Sequence, residues 1–593
     1  MADVQSSRPA EIEIRGIGVS PGVVTGPALL VTTEEERLVE RAIAEEEIPR
    51  EIARFEEALI ATRQQLHDIQ QKVSDAIGQE SASIFDAHLL VVDDRSFVEE
   101  VLRGLHAQKR NVEAILSVVA EHYAKALAKL EDDYLRERAA DVRDVTRRIL
   151  RNLAGRSVSL LSQVDQPHVI IANDLSPSDT ATLNRDKVLG FATDLGSPTS
   201  HTAIMARGLS LPAVVGLHDV SVRVSTGDTV LLDGQKGVLF VHPTRERLEQ
   251  YGTIAASRKA IQVRLAGLRE ERSVTRDGYE MVVSANIEMP SDVDAVLASG
   301  SAGIGLFRTE YLYLSSSALP TEEEQTAAYD ETARRTAPGP CIIRTLDLGG
   351  DKFLSHMKTP DELNPFMGWR AIRFCLAQPD IFKTQLRAIL RASVNENVKL
   401  MYPMVSNVGE VLRANALLEE AKSELRREDV PFNEDLEVGV MIEVPSAAIT
   451  ANLIAPHVAF FSLGTNDLVQ YTLAVDRVNE RVAYLYEPTH PAIIQLIKNT
   501  IDVAHQHGIW AGICGEMAGH PLMTPLLLGL GIDELSMSPS AVPMVKDVVR
   551  SLRFSEAEHL AQQVLSSVSA AEVLAACREL TGRVSPEILE IIT

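Results

Sequence analysis

Eight short apolar runs, separated by segments with helical periodicity, follow one another in the C-terminal half of the chain. Their length and their apolar content are typical of strands that are buried on both faces. The runs are MVVSANI (281–287), GIGLFRT (303–309), CIIRTLDL (341–348), VKLMYPMV (398–405), EVGVMIEV (437–444), AFFSLGTND (459–467), IWAGICGE (509–516) and ELSMS (534–538). Eight strands alternating with helices predict a TIM (β/α)8 barrel. An open, doubly wound parallel sheet is the alternative that shows the same alternation.

Polar and reactive side chains lie at or near the ends of several of these runs. They are Arg308, Arg344, Glu443, Asn466, Asp467 and Cys514. Barrel enzymes carry their catalytic groups at the C-terminal ends of the strands. The pattern therefore favours the barrel over the open sheet and predicts an active site at that end.

The rest of the chain shows two other patterns. Residues 1–32 and 155–243 contain short strand-like runs, and the second stretch includes the DG and KG pairs typical of a hairpin. Residues 33–154 carry apolar side chains three and four positions apart, which predicts a helical bundle. We expect one small α/β domain built from both strand-rich stretches and interrupted by the bundle. A helical linker over 244–272 then leads to the barrel over 273–593.

The segment GSPTSHTAIMAR places His201 where a short helix is predicted to begin. A phosphoryl group on this imidazole would face unpaired backbone N–H groups and the positive end of the helix dipole. Neutral imidazole is a good nucleophile, and the hydroxyls and Arg207 that flank it favour phosphoryl chemistry. The alternative is a histidine that only caps the helix.

Two arginines lie in apolar strands beside glycines, Arg308 in GIGLFRTE and Arg344 in RTLDLGGDK. Two guanidinium groups can hold a phosphate and a carboxylate through paired, charge-assisted hydrogen bonds. The alternative for each arginine is a surface ion pair, which contributes little to stability.

Two carboxylates, Glu443 in MIEVPSA and Asp467 in GTNDLVQY, end successive runs. Neighbouring barrel strands would bring them to one ion, and two carboxylates with substrate oxygens suit Mg²⁺ better than zinc. The alternative is a pair of structural carboxylates that accept hydrogen bonds from loops.

Cys514, between glycines in GICGEMAG, is either a buried small side chain or a thiol that donates a proton to a carbanion or enolate.

Composition excludes several classes of function. The net charge of −25 repels phosphate backbones and anionic lipid, so we expect neither nucleic-acid binding nor attachment to a membrane surface. A local arginine cluster can still attract a small anion. The chain has no run of eighteen apolar residues and no signal-peptide pattern in its first ten residues, so we expect no membrane insertion and a cytoplasmic protein.

Taken together, these motifs resemble Enzyme I of the bacterial phosphotransferase system over essentially the whole chain. The matching segments are GVSPGVVTGPA, DLSPSDTATLN, TSHTAIMAR, LPAVVG, GIGLFRTEYLY, RTLDLGGDK, NPFMGWRAIR, YPMVS, MIEVPSAA, FFSLGTNDLVQYTLAVDR, CGEMAG and LSMSP. The resemblance implies a multidomain α/β protein, in which a swivelling phosphohistidine domain with an inserted helical bundle precedes a TIM barrel.

The resemblance also implies an activity, partners and roles for single residues. A phosphoryl group would pass from phosphoenolpyruvate to His201 and then to a histidine of the carrier HPr, with release of pyruvate. HPr would dock on the helical insertion, and the barrel would form a homodimer. By motif, the resemblance implies substrate binding for Arg308, Arg344, Asn466, Asp467 and Arg477, and Mg²⁺ binding for Glu443 and Asp467. It implies that Cys514 protonates the enolate and that Thr180 forms a hydrogen bond to the other ring nitrogen of His201. It implies supporting roles for Arg207, Lys352 and Arg370.

Two alternatives to this activity stay open. One is the nitrogen-type regulatory paralogue, which typically carries an N-terminal sensory domain, and the other is a regulator that binds phosphoenolpyruvate without catalysis. Two departures from the family pattern are also present. The stretch YEPTHPAI varies from its more usual form. Many family members have GGRTSH before the histidine where this chain has GSPTSH, so no steering role for that arginine carries over.

Overall fold

The structure, a computed structural model, describes residues 11–31, 40–77, 84–128, 133–155, 166–175, 180, 187–197, 200–209, 211–314, 318–348, 364–479 and 481–592. The chain divides into two compact units, Met1–Ala256 and Ser257–Thr593. Each unit has its own apolar core.

An eight-stranded sheet organises the first unit. Its strands are β1 (Ile12–Arg15), β2 (Ile17–Ser20), β3 (Val23–Val31), β4 (His168–Ala172), β5 (Val188–Thr193), β6 (Ala213–Val215), β7 (Thr229–Asp233) and β8 (Val238–Val241). Their order across the sheet is β1-β8-β7-β3-β4-β5-β6-β2. The strands β3, β4, β5 and β6 run parallel, and the other pairs are antiparallel. The predicted hairpin at the DG and KG pairs is confirmed as β7–β8.

Both faces of this sheet are buried. Along β4, Val169 and Ile171 enter one apolar cluster, whereas Ile170 and Ala172 enter the other. This is the alternation expected of a strand, in which successive side chains point to opposite faces. The α-helices that follow the sheet strands in the described chain are His201–Leu209, Val220–Arg223 and Arg245–Gly267.

A helical bundle is inserted between β3 and β4. Its helices are Ile48–Ile77, Ile84–Asp93, Arg95–Gln108, Val112–Ala128 and Asp133–Leu153. Side chains such as Phe55, Phe85 and Phe97 form a core separate from those of the sheet. Asp94 begins the third of these helices by accepting hydrogen bonds from two backbone N–H groups of its first turn. The predicted insertion of a helical bundle into an α/β domain is therefore confirmed.

The second unit is a closed barrel of eight parallel strands. They are β9 (Val282–Ile287), β10 (Ile304–Phe307), β11 (Cys341–Arg344), β12 (Val398–Tyr402), β13 (Val438–Ile442), β14 (Phe460–Leu463), β15 (Trp510–Ile513) and β16 (Glu534–Met537). Each strand pairs with the next, and β16 pairs with β9 to close the ring. The TIM barrel prediction is confirmed, and the open sheet is excluded.

Helices cover the outside of the barrel. They are Val293–Ser299, Glu310–Leu314, Glu322–Thr336, Ala371–Ala377, Pro379–Ala392, Val408–Arg427, Pro445–Ile449, Ala451–Ile454, Thr465–Leu473, Pro491–Gln506, Thr524–Leu530, Val542–Ser551, Phe554–Val564, Ala570–Val584 and Pro586–Ile592. One apolar core joins the outward faces of the strands to these helices.

All eight predicted runs contain a strand, but most runs extend past its C-terminal end. The run 459–467, for example, ends as a strand at Leu463, and Asp467 lies in the first turn of the next helix. Gly464 stands at this turn because a Cβ there would come within 2.6 Å of Glu443 Oε2. The polar residues at the run ends therefore belong to the loops and helix starts above the barrel.

The interior of the barrel is packed at its N-terminal end by two stacked rings. Phe460 and Trp510 lie 4.4 Å apart with nearly parallel planes. Gly439, on the neighbouring strand β13, leaves the space that the Phe460 ring fills.

In the described part of the chain, no helix is both long and apolar enough to span a membrane.

Replacement of Gly439 by alanine should destabilise the barrel. A Cβ at this position would lie 2.3 Å from the fully buried Phe460 ring, so the ring stack must shift. Overpacking of this kind costs about 1–3 kcal/mol in the free energy of unfolding. Gly267→Ala is the matched control, because an added Cβ there meets no atom within 4 Å in the described structure. Urea unfolding of both variants measures the difference, and equal stabilities would contradict this account of the interior.

Candidate functional site

The helix His201–Leu209 begins at the predicted histidine. Ser200 precedes it, and its Oγ accepts a hydrogen bond from the N–H of Ala203 at 3.3 Å. This is the contact of an N-cap residue. The chain therefore enters the helix at His201, where backbone N–H groups lack partners within the helix.

Contacts on two sides fix this helix. Ala203 and Ala206 pack on the sheet, whereas Met205 enters the core of the helical bundle. Thr202 Oγ1 donates to the carbonyl of Leu175 at 2.7 Å. The helix is therefore held between the sheet and the bundle, which sets the place of its first residue.

The supporting positions of this segment have different surroundings. Arg207 lies in the last turn of the helix, where its Nη1 donates to the carbonyl of Val19 at 3.5 Å. A cation at the C-terminal end of a helix is stabilised by the helix dipole. Thr180 is fully buried. Lys352, predicted as a supporting residue of the barrel site, lies outside the described residues.

At the C-terminal end of the barrel, Asp347 lies between two arginines just after β11. Nε and Nη2 of Arg370 donate to its two oxygens at 2.9 and 2.8 Å. Nη1 of Arg344 lies 3.2 Å from Oδ2 of the same carboxylate. Burial raises the pKa of Asp347, but the two guanidinium groups outweigh it and hold that pKa below its ordinary value. We call Arg344, Asp347 and Arg370 the Asp347 cluster.

Glu310, the first residue of the helix after β10, completes the hydrogen bonding of the Asp347 cluster. Its Oε1 accepts from Arg344 Nη2 at 2.8 Å and from the Asp347 N–H at 3.0 Å. Burial lowers the pKa of Arg344, but nearby carboxylates, Glu310 first among them, raise it above its ordinary value. The buried Nε of Arg344 has no hydrogen-bond partner among the residues that the structure describes. This N–H is therefore a donor that an anion can use.

Glu443, directly after β13, and Asp467 are adjacent to the Asp347 cluster. Asp467 Oδ2 lies 3.5 Å from Arg370 Nη2. Glu443 is buried, and its Oε1 accepts from the N–H of Met404 at 2.6 Å. Burial and the negative charges of Asp467 and Asp347 raise the pKa of Glu443 to about 8. The two residues form a site where excess negative charge is concentrated.

The donor chemistry of Glu443 and Asp467 fits a divalent cation. Both offer carboxylate oxygens, and a cation would offset the repulsion that raises the pKa of Glu443. Over the described chain, no group of three His, Cys, Asp or Glu side chains is arranged as metal ligands. Two protein carboxylates with other oxygen ligands are the usual arrangement for Mg²⁺ rather than for zinc.

The other predicted substrate residues form two further contacts. Arg308 pairs with Glu288 at 2.6 Å, and both side chains are more than a third exposed. Asn466 Nδ2 donates to Glu516 Oε1 at 3.1 Å, and the Glu516 N–H donates back to Asn466 Oδ1 at 2.9 Å. Arg477 Nη1 lies 3.6 Å from the same Glu516 oxygen. Asn466 and Arg477 can therefore reach one common anionic group.

Cys514 follows β15 and is buried. Its Sγ donates to the carbonyl of Leu463 at 3.7 Å. Burial raises the pKa of the thiol to about 11, and the charges of Glu443, Arg344 and Arg308 also act on it. Cys514 therefore keeps its proton at neutral pH and lies near the predicted substrate and metal residues.

Sequence reasoning missed Asp347, Glu310 and Glu516 as parts of this site. Asp347 is an acid inside the apolar run CIIRTLDL, three positions after Arg344, and a charge in such a run was the available signal. Glu310 and Glu516 lie inside the motifs GIGLFRTE and GICGEMAG, but nothing in their spacing indicates which arginine each one contacts.

Comparison with known proteins adds three matching family models. The chain matches "PEP-utilising enzyme, N-terminal" over residues 15–138, "PEP-utilising enzyme, mobile domain" over 164–237 and "PEP-utilising enzyme, PEP-binding domain" over 262–554. The last match contains the barrel site, and the mobile-domain match contains His201.

Full-length relatives give the same assignment. A phosphoenolpyruvate-protein phosphotransferase of Bacillus sp. (strain S) is 45% identical over 95% of this chain and 97% of its own length. That of Geobacillus stearothermophilus has the same identity and coverage. That of Haemophilus influenzae is 42% identical over 94% of this chain and 97% of its own length. Matches of this extent, together with the barrel site, show that the chain belongs to the phosphoenolpyruvate-protein phosphotransferases, the Enzyme I family.

Proposed function

We propose that this protein transfers the phosphoryl group of phosphoenolpyruvate to His201 and then to a histidine of the carrier HPr, and releases pyruvate. This is the first step of sugar uptake by the phosphotransferase system. The observation that carries the proposal is the barrel end, where largely buried arginines, two carboxylates and a protonated thiol lie together. The helix that begins at His201 supplies the acceptor.

Phosphoenolpyruvate has a phosphate and a carboxylate, and the site offers donors for both. Arg344 has a buried Nε without a partner among the described residues, and Arg308 is accessible. Asn466 and Arg477 already converge on the carboxylate of Glu516, so they have the reach to hold a substrate anion. We assign these four residues and Asp467 to substrate binding, with Arg370 and Lys352 in support.

We assign Glu443 and Asp467 to a Mg²⁺ ion, which would neutralise charge on the substrate oxygens. In the transfer step, a ring nitrogen of His201 forms a bond to phosphorus while the bond from phosphorus to the enol oxygen breaks. The arginines stabilise the charge that develops on the oxygens. The backbone N–H groups at the start of the helix, with Thr180 and Arg207 in support, favour the new phosphohistidine.

The loss of the phosphoryl group leaves the enolate of pyruvate, whose C3 must gain a proton. We assign this proton to Cys514, which is protonated at neutral pH because burial raises its pKa. The thiolate left behind then recovers a proton from water. The charges of Arg344 and Arg308, which act on the thiol, stabilise the thiolate.

The two reacting sites belong to different compact units of the chain. We therefore propose that residues 1–32 and 155–243 swing as a phosphohistidine domain, with 244–272 as linker, between the barrel (273–593) and HPr docked on the bundle (33–154). A cytoplasmic homodimer that forms through the barrel completes the proposal. His201 must be shielded from water in one state and exposed in the other, which one fixed arrangement cannot provide.

His201→Ala should abolish labelling of the protein by radioactive phosphoenolpyruvate in the presence of Mg²⁺. The variant should still bind phosphoenolpyruvate, because the substrate residues lie in the other unit. His168→Ala, on strand β4, is the control and should be labelled like the wild type. Label on the His201 variant would refute the assignment. A wild-type protein that binds phosphoenolpyruvate without becoming labelled would favour the non-catalytic regulator.

Glu443→Gln and Asp467→Asn should each raise the Mg²⁺ concentration for half-maximal labelling by at least about tenfold, because each removes one charged oxygen ligand. Glu534→Gln is the matched control. Glu534 is also a buried carboxyl inside the barrel, but it is the first residue of β16, at the N-terminal end of the barrel, where it accepts a hydrogen bond from Ser284. An unchanged Mg²⁺ requirement in both carboxylate variants would show that the ion binds elsewhere.

A further inference from the structure

We propose that Asn286 is a positioning residue for Cys514, and that it acts through the backbone of Cys514 to aim the thiol at C3 of the enolate. The inference rests on the proposed role of Cys514 as the proton donor. The contact that carries it is a hydrogen bond from Asn286 Nδ2 to the carbonyl oxygen of Cys514 at 3.0 Å.

Asn286 lies near the C-terminal end of β9 and points into the barrel. On this strand Val283, Ala285 and Ile287 pack outward against the helices. The intervening Ser284 contacts Glu534, and Asn286 contacts Ser536, both on β16. Alternation along the strand therefore places Ser284 and Asn286 on the inner face, at successive levels of the barrel.

Cys514 lies at the point where its strand leaves the sheet. The last register pair between β15 and β16 in the described chain is Ile513 with Leu535. The N–H of Cys514 still donates to the carbonyl of Leu463 on β14 at 3.1 Å. Its own carbonyl receives the amide of Asn286 instead of a β16 backbone group. The peptide that carries the thiol is thus fixed on one side by β14 and on the other by β9.

The orientation of the Asn286 amide is determined by its partners. The carbonyl of Cys514 can only accept, so the amide nitrogen must face it. The amide oxygen then faces Ser536, whose Oγ donates to it at 2.6 Å. Gly305 allows this arrangement, because a Cβ there would lie 2.4 Å from Ser536 Oγ. Ser536, Asn286 and the Cys514 carbonyl therefore form one directed chain.

The next residue, Gly515, makes this restraint important. A Cβ at Gly515 would lie 2.0 Å from Thr465 Oγ1, so the position admits only glycine, which has the most backbone freedom. The peptide between Cys514 and Gly515 would turn more easily without the Asn286 hydrogen bond. A small displacement of an acid from its target carbon lowers the rate of proton transfer steeply.

The test follows the proton to one face of the enolate. The substrate is phosphoenolpyruvate that carries one deuterium at a defined C3 position, and the reaction runs in tritiated water. When one fixed acid delivers the proton, the methyl group of the pyruvate product is chiral. The variants are Asn286→Ala and Ser536→Ala, with Cys514→Ala as reference. Ser284→Ala is the matched control, because it is on the same strand and face but contacts Glu534.

We expect Asn286→Ala to lose at least half of the enantiomeric excess and at least about tenfold in turnover. The KM for phosphoenolpyruvate and the single-turnover rate of His201 labelling should change by less than about threefold, since binding and phosphoryl transfer precede protonation. Ser536→Ala should show a smaller loss of both properties, and it decides the matter if Asn286→Ala does not fold. Ser284→Ala should match the wild type.

Two results would overturn the inference in distinguishable ways. Wild-type stereochemistry and turnover in the Asn286 and Ser536 variants, with loss of both in Cys514→Ala, would remove the role of Asn286 and leave that of Cys514. Wild-type stereochemistry in Cys514→Ala as well would show that another group donates the proton, and would also remove this step of the proposed function.

Discussion

The ion pairs of one buried carboxylate, Asp347, organise the C-terminal end of the barrel. Asp347 accepts both donors on one edge of Arg370 and lies within 3.2 Å of Arg344. Burial of a guanidinium group is costly unless a carboxylate and further hydrogen bonds compensate it. Here the one carboxylate of Asp347 compensates the burial of two guanidinium groups. Glu310 accepts a further hydrogen bond from Arg344. The positions of both arginines, and of Asp467 beside Arg370, depend on this cluster.

The charge balance of the site explains why an acidic protein can bind an anion, and why we propose a cation beside it. Arg344 and Arg370 face four carboxylates, those of Asp347, Glu310, Glu443 and Asp467. The excess of negative charge is visible in Glu443, whose pKa rises to about 8. A divalent cation would reverse the balance and leave the Nε of Arg344, with the accessible Arg308, to attract a phosphate.

Much of the fold follows from the sequence, because apolar periodicity reports burial directly. The eight runs contain the eight strands, and the change from strand to helical patterns locates the inserted bundle. The predicted C-terminal ends of the strands were less accurate than the predicted number of strands. The predicted run included residues 464–467 (GTND), but the strand ends at Leu463, Gly464 passes close to Glu443 and a helix begins at Thr465. Local pattern carries no signal of such a long-range contact.

Part of the site could be predicted from motifs in the sequence. His201, Arg344, Glu443 and Cys514 stand out as reactive groups at the ends of elements, which a motif can reveal. The contacts of Asp347, Glu310 and Asn286 join different elements of the barrel, and they form only when the barrel closes. Spacing along the chain does not report those pairings.

The central claim, that Asp347 holds the two largely buried arginines in place, is tested most directly by the stability of Asp347→Asn. Removal of one partner from a buried ion-pair group costs about 3–5 kcal/mol. Asp330→Asn is the reference, because Asp330 pairs with the largely exposed Arg334 and accepts one hydrogen bond from Asn395 Nδ2, so the change should cost about 1 kcal/mol or less. Urea unfolding of the barrel should show the larger loss for Asp347→Asn, together with weaker binding of phosphoenolpyruvate. An Asp347 variant as stable as the Asp330 variant would contradict the account.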